Sequence, residues 1–364
     1  MYRTKIIGAG SIGNHLANAS RALGWKVDIC DVDPAALDRT RNDIYPARYG
    51  AWDEEIGLYE AGQAPKGVYD LIFIGTPPDT HMDLALAAVE EGPRAILVEK
   101  PICGPDLMGA QTLMTQAAAK NVAGFVGYDH VVGSACLRAG EQIAAGIHGR
   151  VETLDVEIRE HWGGIFGAHP WLEGPHDSYL GFWKRGGGAA GEHSHGFNMW
   201  QHLAHILDAG RVVEVTATLD YVQDGRVDYD RLCLANLRTE KGLTGRVVQD
   251  VVTRPPKKYA RVQGDAGFVE WHCGYRSGAD AVVWAKHDED IQEEVFTKTR
   301  PDDFILEMQH IEAALKPGAP VSPISLARGL DTMLVIAATH KSAALGRSIG
   351  IDYTRGYVPE ALVG

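Results

Sequence analysis

Lys5-Ile6-Ile7-Gly8-Ala9-Gly10-Ser11-Ile12-Gly13 decides the fold. An apolar run ends in three glycines at the GxGxxG spacing, and an amphipathic stretch follows. In such a strand–turn–helix the first glycine permits the tight turn, the second lets backbone approach a pyrophosphate, and the third lets helix and strand pack closely. The helix N-terminus at Ser11 then offers N–H groups and the positive end of a dipole to an anion, with Ile12 in the same turn. A second expected strand, Lys26–Cys30, ends in Asp31, 31 − 13 = 18 positions beyond Gly13. That is close to the spacing of about 20 for the carboxylate that binds an adenosine ribose diol. A carboxylate there accepts from a 2′-hydroxyl and repels a 2′-phosphate, and Val32 and Asp33 add no cation. NAD is therefore expected over NADP, with Arg39 and Arg41 the residues that would reverse this by folding back.

Outward from this stretch, strands are expected at Thr4–Ile7, Lys26–Cys30, Asp70–Ile74, Ala95–Val98 and Val122–Val126, with helices near 11–23, 34–42, 79–91 and 105–119. Continuous apolar strands such as Leu71-Ile72-Phe73-Ile74 suit a parallel sheet covered on both faces. Two of them run into proline turns, Gly75-Thr76-Pro77-Pro78 and Glu99-Lys100-Pro101. Ligands of open parallel sheets lie at the carboxyl ends of the strands, so both turns are expected to line the binding crevice.

Beyond Gly127 the pattern changes. A helix near 134–145 precedes alternating strands at Val151–Arg159, Val212–Tyr221, Arg231–Thr239, Leu243–Val252, Tyr259–Gln263 and Phe268–His272; helices near 303–315 and 325–345 close the chain. The expected architecture is a doubly wound Rossmann domain over 1–127 and an α+β domain over 128–364 with a large, mostly antiparallel, open-faced sheet, its last helix packing back on the first domain. An open sheet face of that size favours self-association. Residues 161–190 are irregular and rich in Gly, Trp and His, and too long for a plain connector.

The 364 residues carry a net charge of −13, with 45% hydrophobic and 23% charged residues. The acidic balance argues against nucleic acid, which needs a basic surface. No apolar run reaches membrane-spanning length, and the first strand begins close to Met1, where a leader would lie. Five scattered cysteines without a CxxC pair read as reduced thiols of a cytoplasmic protein.

The series of glycine fingerprint, Gly75-Thr76-Pro77, Glu99-Lys100-Pro101, and Gly186-Gly187-Gly188 leading to a His-containing helix resembles the Gfo/Idh/MocA oxidoreductases. So does the closing Ala337-Ala338-Thr339-His340-Lys341-Ser342-Ala343. The resemblance implies NAD(P)-linked chemistry on a small polyhydroxylated substrate and a homodimer or homotetramer built through the C-terminal sheet. It implies that Gly8, Gly10, Ser11, Ile12, Gly13, Asp31, Thr76, Pro77, His81, Glu99 and Lys100 hold the cofactor. Lys100 would also reach the substrate, where a cation stabilises the oxygen that gains charge as hydride leaves its carbon. Pro101 would fix this turn, often through a cis bond.

The second family signature, a glycine run followed by Asp and, four residues on, His, is altered here. In Gly186–Asn198, Glu192 takes the Asp position and Gly196 the His position, unless a one-residue slip brings His195 there. His195 is the preferred acid/base, partnered by Glu192 on the same helix face at i,i+3, with His193 its rival. Tyr128, His130, His193 and His195 are candidate substrate contacts; Tyr128-Asp129-His130 reads equally as a linker turn. Trp162, Phe166, Trp171, Tyr179, Phe182 and Trp183 offer faces for sugar rings or for core, and His161, Lys184 and Arg185 offer polar anchors. His193, His195, His202 and His205 crowd one helix without a supporting Cys or Asp cluster, so no metal is expected. The main expectation is an NAD-dependent oxidoreductase of a sugar, sugar derivative or cyclic polyol. The alternatives are a glycosidase acting by transient oxidation and elimination, and a non-catalytic NAD-binding regulator.

Overall fold

The computed structural model describes residues 1–168 and 172–364. The chain divides into two compact units. The first comprises Met1–Ile102, Gly109–Asp129 and Arg300–Gly329; the second comprises Cys103–Met108, His130–Thr299 and Leu330–Gly364.

The first unit is built on a six-stranded parallel sheet of order β3-β2-β1-β4-β5-β6. Its strands are β1 (Arg3–Ile7), β2 (Lys26–Asp31), β3 (Ile56–Glu60), β4 (Leu71–Ile74), β5 (Ala95–Val98) and β6 (Ala123–Val126). The helices are α1 (Ser11–Ala22), α2 (Pro34–Arg39), α3 (Tyr45–Tyr49), α4 (His81–Glu90) and α5 (Ala110–Ala119). All eight side chains of β4 and β5 are fully buried, as their unbroken apolar runs require. Each buried large aliphatic side chain contributes about 1.5–3 kcal/mol relative to exposure. The strand order reverses between β1 and β4, the switch point at which such sheets bind ligands.

Three local expectations are corrected. The edge strand β3 was not foreseen, because Ile-Gly-Leu-Tyr-Glu has no continuous apolar run. The helix expected over 34–42 is α2, then a π-helical turn at Thr40–Ile44, then α3. The helix expected from 105 begins only at Ala110, since Leu107 and Gly109 take left-handed φ values of 58° and 77°.

The second unit carries a ten-stranded sheet of order β14-β13-β12-β11-β7-β10-β9-β8-β15-β16. In chain order its elements are α6 (Ser134–Ala144), β7 (Val151–Arg159), α7 (Trp162–Ala168), α8 (Gly188–Glu192), α9 (His195–Ile206), β8 (Val212–Gln223), β9 (Asp228–Thr239) and β10 (Thr244–Asp250). There follow β11 (Lys257–Gly264), β12 (Gly267–Arg276), β13 (Ala279–Lys286), β14 (Gln292–Thr297) and, at the C-terminus, β15 (Ile349–Ile351) and β16 (Leu362–Val363). Two helices complete the chain: α10 (Arg300–Ala314), which belongs to the first unit, and α11 (Leu326–Leu345), which begins in the first unit and continues into the second.

The described strand pairs of the second sheet are antiparallel except β7 with β10. Burial alternates along β7, with Leu154, Val156 and Ile158 inward, and Trp200 of α9 donates its indole N–H to the Leu154 carbonyl at 2.8 Å. The opposite face is polar and bears the ion pairs Arg238–Glu214 (2.8 Å) and Arg246–Asp155 (3.3 Å). Strands β13 and β14 escaped the sequence reading; β14 is a charged edge strand, the composition that discourages edge-to-edge pairing. Among the described residues, no helix is long and apolar enough to cross a membrane.

Candidate active site

The glycine turn leaves β1 and closes on itself. Gly8 has a φ of 109°, and a Cβ on it would lie 2.9 Å from the Gly75 carbonyl oxygen. A Cβ on Gly13 would lie 1.9 Å from the Gly8 carbonyl oxygen, so this turn cannot form with any larger residue there. A Cβ on Gly10 would meet nothing within 4 Å, so the backbone of the second glycine faces open space. α1 starts at Ser11 with no side-chain cap and no acid in its first turn. Its first N–H groups and its dipole are left to an anion, and the residues fit a dinucleotide pyrophosphate.

Asp31 ends β2 and accepts twice from backbone, from Ala9 N–H at 2.7 Å and from Asp33 N–H at 2.9 Å. Its oxygens keep lone pairs for a ribose diol. Arg39 pairs with Asp33 at 3.3 Å and Arg41 with Glu54 at 3.0 Å, so the two cations that would favour a 2′-phosphate are turned to other carboxylates.

His81, the first residue of α4, joins the two proline turns. Its Nδ1 lies 2.9 Å from the Pro101 carbonyl and its Nε2 2.8 Å from the Thr76 carbonyl. Burial pushes its pKa down to about 4, against the two carbonyls, which favour the charged ring. The neutral ring donates to one carbonyl at a time. Pro77 precedes a short helical turn in which Thr80 and Thr76 hydroxyls meet at 2.7 Å. The Lys100–Pro101 bond is cis.

Glu99 is buried, and the Lys100 backbone N–H donates to its Oε2 at 3.3 Å. Its carboxyl fills the space above Gly127, where a Cβ would lie 2.7 Å from Oε2. Burial, then the charge of Asp129, raises its pKa to about 7, with Lys100 opposing. Glu307 of α10 is fully buried, and among the described residues neither of its carboxyl oxygens meets a hydrogen-bond partner. Burial first, then Glu99, Asp129 and Asp303, raise its pKa well above the usual range. Tyr128 is fully buried.

In the second unit the helix carrying the His-rich segment is broken. α8 ends at Glu192, His193 and Ser194 form a turn, and α9 starts at His195. Glu192 and His195 therefore do not share one helix face, which corrects the i,i+3 argument for their pairing. The break has a physical cause. The His193 carbonyl accepts from Gly196 N–H at 2.8 Å and from the Gln249 amide, so it is withdrawn from a continuous helix. At the other end, Asp230 accepts from Ala190 N–H at 2.8 Å and anchors α8. Burial raises the Asp230 pKa to about 8, opposed by the amides it accepts from. Gly188, with φ 73°, leaves room for that carboxylate, since a Cβ would lie 1.9 Å from its oxygen.

Tyr179 donates its hydroxyl to Glu192 Oε2 at 2.7 Å. His193 Nε2 lies 3.3 Å from the Glu160 carbonyl. The rings of His195 and His130 stack with centroids 4.3 Å apart, and Trp271 lies against His130 at 5.8 Å. Two of the expected substrate contacts, His130 and His195, are thus brought together by the fold. Of the aromatic loop, Trp162 packs on Phe166 and Tyr229, and Trp183 stacks on His340 at 4.4 Å; Trp171 lies outside the described residues. His161 Nδ1 lies 2.6 Å from Arg254 Nη2. Asp230, Gln249, Glu307 and Arg48 were not singled out from sequence, since each acts through residues far away in the chain.

Residues 2–128 match the model of an oxidoreductase family with an NAD-binding Rossmann fold. No curated protein sequence matches the chain. Among solved structures, the fold is shared with an oxidoreductase from Agrobacterium radiobacter in complex with NAD+, L-tartaric acid and magnesium (TM-score 0.74, 18% identity, covering 96% of this chain and 98% of that one). It is shared with a levoglucosan dehydrogenase in complex with NADH (TM-score 0.78, 19% identity, 96% and 98% covered). It is shared also with the WlbA dehydrogenase from Bordetella pertussis in complex with NADH and UDP-GlcNAcA (TM-score 0.69, 20% identity, 96% and 98% covered).

Proposed function

We propose, from the premise that residues 2–128 belong to the Gfo/Idh/MocA oxidoreductase family and bind NAD, that this chain transfers hydride between NAD and a secondary alcohol or ketone carbon of a sugar, sugar derivative or cyclic polyol. The observation that carries the reading is the Glu99-Lys100-Pro101 turn. It leaves β5 two strands from the glycine turn of β1, on the same edge of one parallel sheet. That position sets an ammonium group at the carboxyl ends of the strands, where these sheets bind their ligands.

Bound NAD supplies the hydride acceptor or donor. Lys100 stabilises the oxygen that becomes negative as hydride departs its carbon. His195 takes the hydroxyl proton, a task suited to an imidazole. Glu192, held by Tyr179, supplies negative charge in the same segment. The carbon loses hydride, the oxygen loses its proton, and a ketone remains. Two or four copies joined through the second sheet complete the reading, which light scattering tests.

The experiment is a screen of sugars, inositols, sugar acids and nucleotide sugars with NAD+, read as absorbance at ~340 nm, with the product weighed for loss of two hydrogens. Net NADH formation is expected. Release of a glycosyl group without net NADH would replace this reading with elimination through a transient ketone.

A further inference from the structure

Arg48 lies on α3, thirty-seven residues beyond Ser11, yet it grips that first residue of α1. Its Nη1 donates to the Ser11 carbonyl at 2.8 Å, and its Nη2 donates to Ser11 Oγ at 2.8 Å. The neighbouring contacts hold it there. Tyr49 Oη meets His15 Nδ1 at 2.6 Å, and the His15 ring stacks on Phe304 at 4.6 Å.

The surroundings of this guanidinium are unusual for the unit. Arg3, Arg21, Arg39, Arg41 and Arg300 each face a carboxylate. Among the described residues, Arg48 has only the two neutral oxygens of Ser11 as hydrogen-bond partners. It is half-buried, and burial together with the like charge of Arg300 pushes its pKa down. A partly buried cation without a counter-ion costs free energy that an arriving anion recovers.

We propose that Arg48 is a cofactor-binding residue, which supplies the counter-charge for the pyrophosphate and holds the Ser11 hydroxyl in position to donate to it. Because Ser11 Oγ already accepts from Arg48, its own hydrogen is left to point elsewhere. The cradle at Ser11 and Ile12 thus combines backbone N–H groups, the helix dipole, one hydroxyl donor and one guanidinium. The inference rests on the NAD-binding reading, and its test separates the two.

The test is the affinity of the full chain for NAD+, ADP-ribose and adenosine, each measured by competition against NADH fluorescence. Arg48→Met should weaken NAD+ and ADP-ribose about tenfold or more, the loss expected for a charge-assisted hydrogen bond, and flatten the salt dependence of binding. Adenosine, which has no phosphate, should keep its affinity within about twofold. Arg48→Lys should recover part of the loss, since it restores charge without the fork. Equal weakening of adenosine, or unchanged NAD+ affinity in Arg48→Met, would overturn the assignment. Should Arg48→Met fail to fold, Ser11→Ala decides: it should weaken ADP-ribose but not adenosine, and an unchanged ADP-ribose affinity overturns the proposal. Absence of NAD+ binding by the unaltered chain would instead overturn the premise.

Discussion

The Ala9 backbone N–H donates to Asp31 Oδ2 at 2.7 Å, so the carboxylate that ends β2 also braces the glycine turn after β1. One side chain thereby ties the end of β2 to the glycine turn after β1. Asp31→Asn keeps an acceptor for Ala9 and loses the charge; Asp31→Ser loses most of both. Because Arg39 and Arg41 are already paired with carboxylates, neither substitution alone creates a 2′-phosphate site. Asp31→Asn should weaken NAD+ by about tenfold, and Asp31→Ser with Val32→Arg should shift preference toward NADP+. Dissociation constants for both cofactors check this, and NAD+ affinity unchanged in Asp31→Ser would refute the role of Asp31.

Gly13→Ala tests the turn itself. The new methyl would fall 1.9 Å from the Gly8 carbonyl oxygen, a backbone atom that cannot step aside without opening the turn. The expected cost is on the order of 1–3 kcal/mol of stability together with loss of NAD+ binding. Calorimetry and cofactor titration read the two effects, and a variant that binds NAD+ normally would contradict the packing.

Lys100→Met and His195→Ala should each lower kcat by about 10²–10⁴-fold while NADH binding stays within about threefold of the parent. His193→Ala serves as the comparison, because His193 Nε2 faces the Glu160 carbonyl. Tyr179→Phe removes the hydroxyl that holds Glu192 and should lower kcat more modestly, about fivefold to tenfold. Full turnover in His195→Ala with loss in His193→Ala would move the acid/base role to His193.

Glu99 and Glu307 make stability fall with rising pH. In the unfolded chain a Glu carboxyl loses its proton near 4.5, while the folded Glu99 holds it to about 7 and burial among other carboxyls raises Glu307 well above the usual value. The folded form binds more protons at these two carboxyls, so their contribution to stability is full below pH 4.5 and is lost as pH rises through their folded pKa values. Glu307→Gln keeps the shape and removes one titration. Its melting temperature should therefore decline less between pH 5 and pH 8 than that of the parent, as calorimetry will show; an identical decline would exclude a buried ionisable role.

Much of the first unit could be read from sequence because it is local. Gly8 to Gly13 is one continuous turn, and Asp31 follows one helix and one strand later; hydrophobic runs locate β1, β4 and β5, and turn chemistry locates the loops after them. Less legible was whatever depended on distant partners. Glu192 and His195 look like neighbours on a helix until Gln249, more than fifty residues on, takes the His193 carbonyl and the helix breaks. Tyr179 as the partner of Glu192, and Asp230 beneath Gly188, carry no local signature either. The missed strands β3 and β14 are sheet edges whose residues lack the apolar runs of central strands.

By itself, then, the sequence determined the Rossmann unit and its glycine turn, since these follow from φ angles, hydrophobic period and short-range spacing. Tertiary structure alone decided where the isolated charges went. It set Arg48 against Ser11, gathered the Glu99 and Glu307 carboxyls within one unit, and stacked His195 on His130. Burial and charge are properties of surroundings, and the surroundings of a side chain are assembled from segments that the local sequence does not contain.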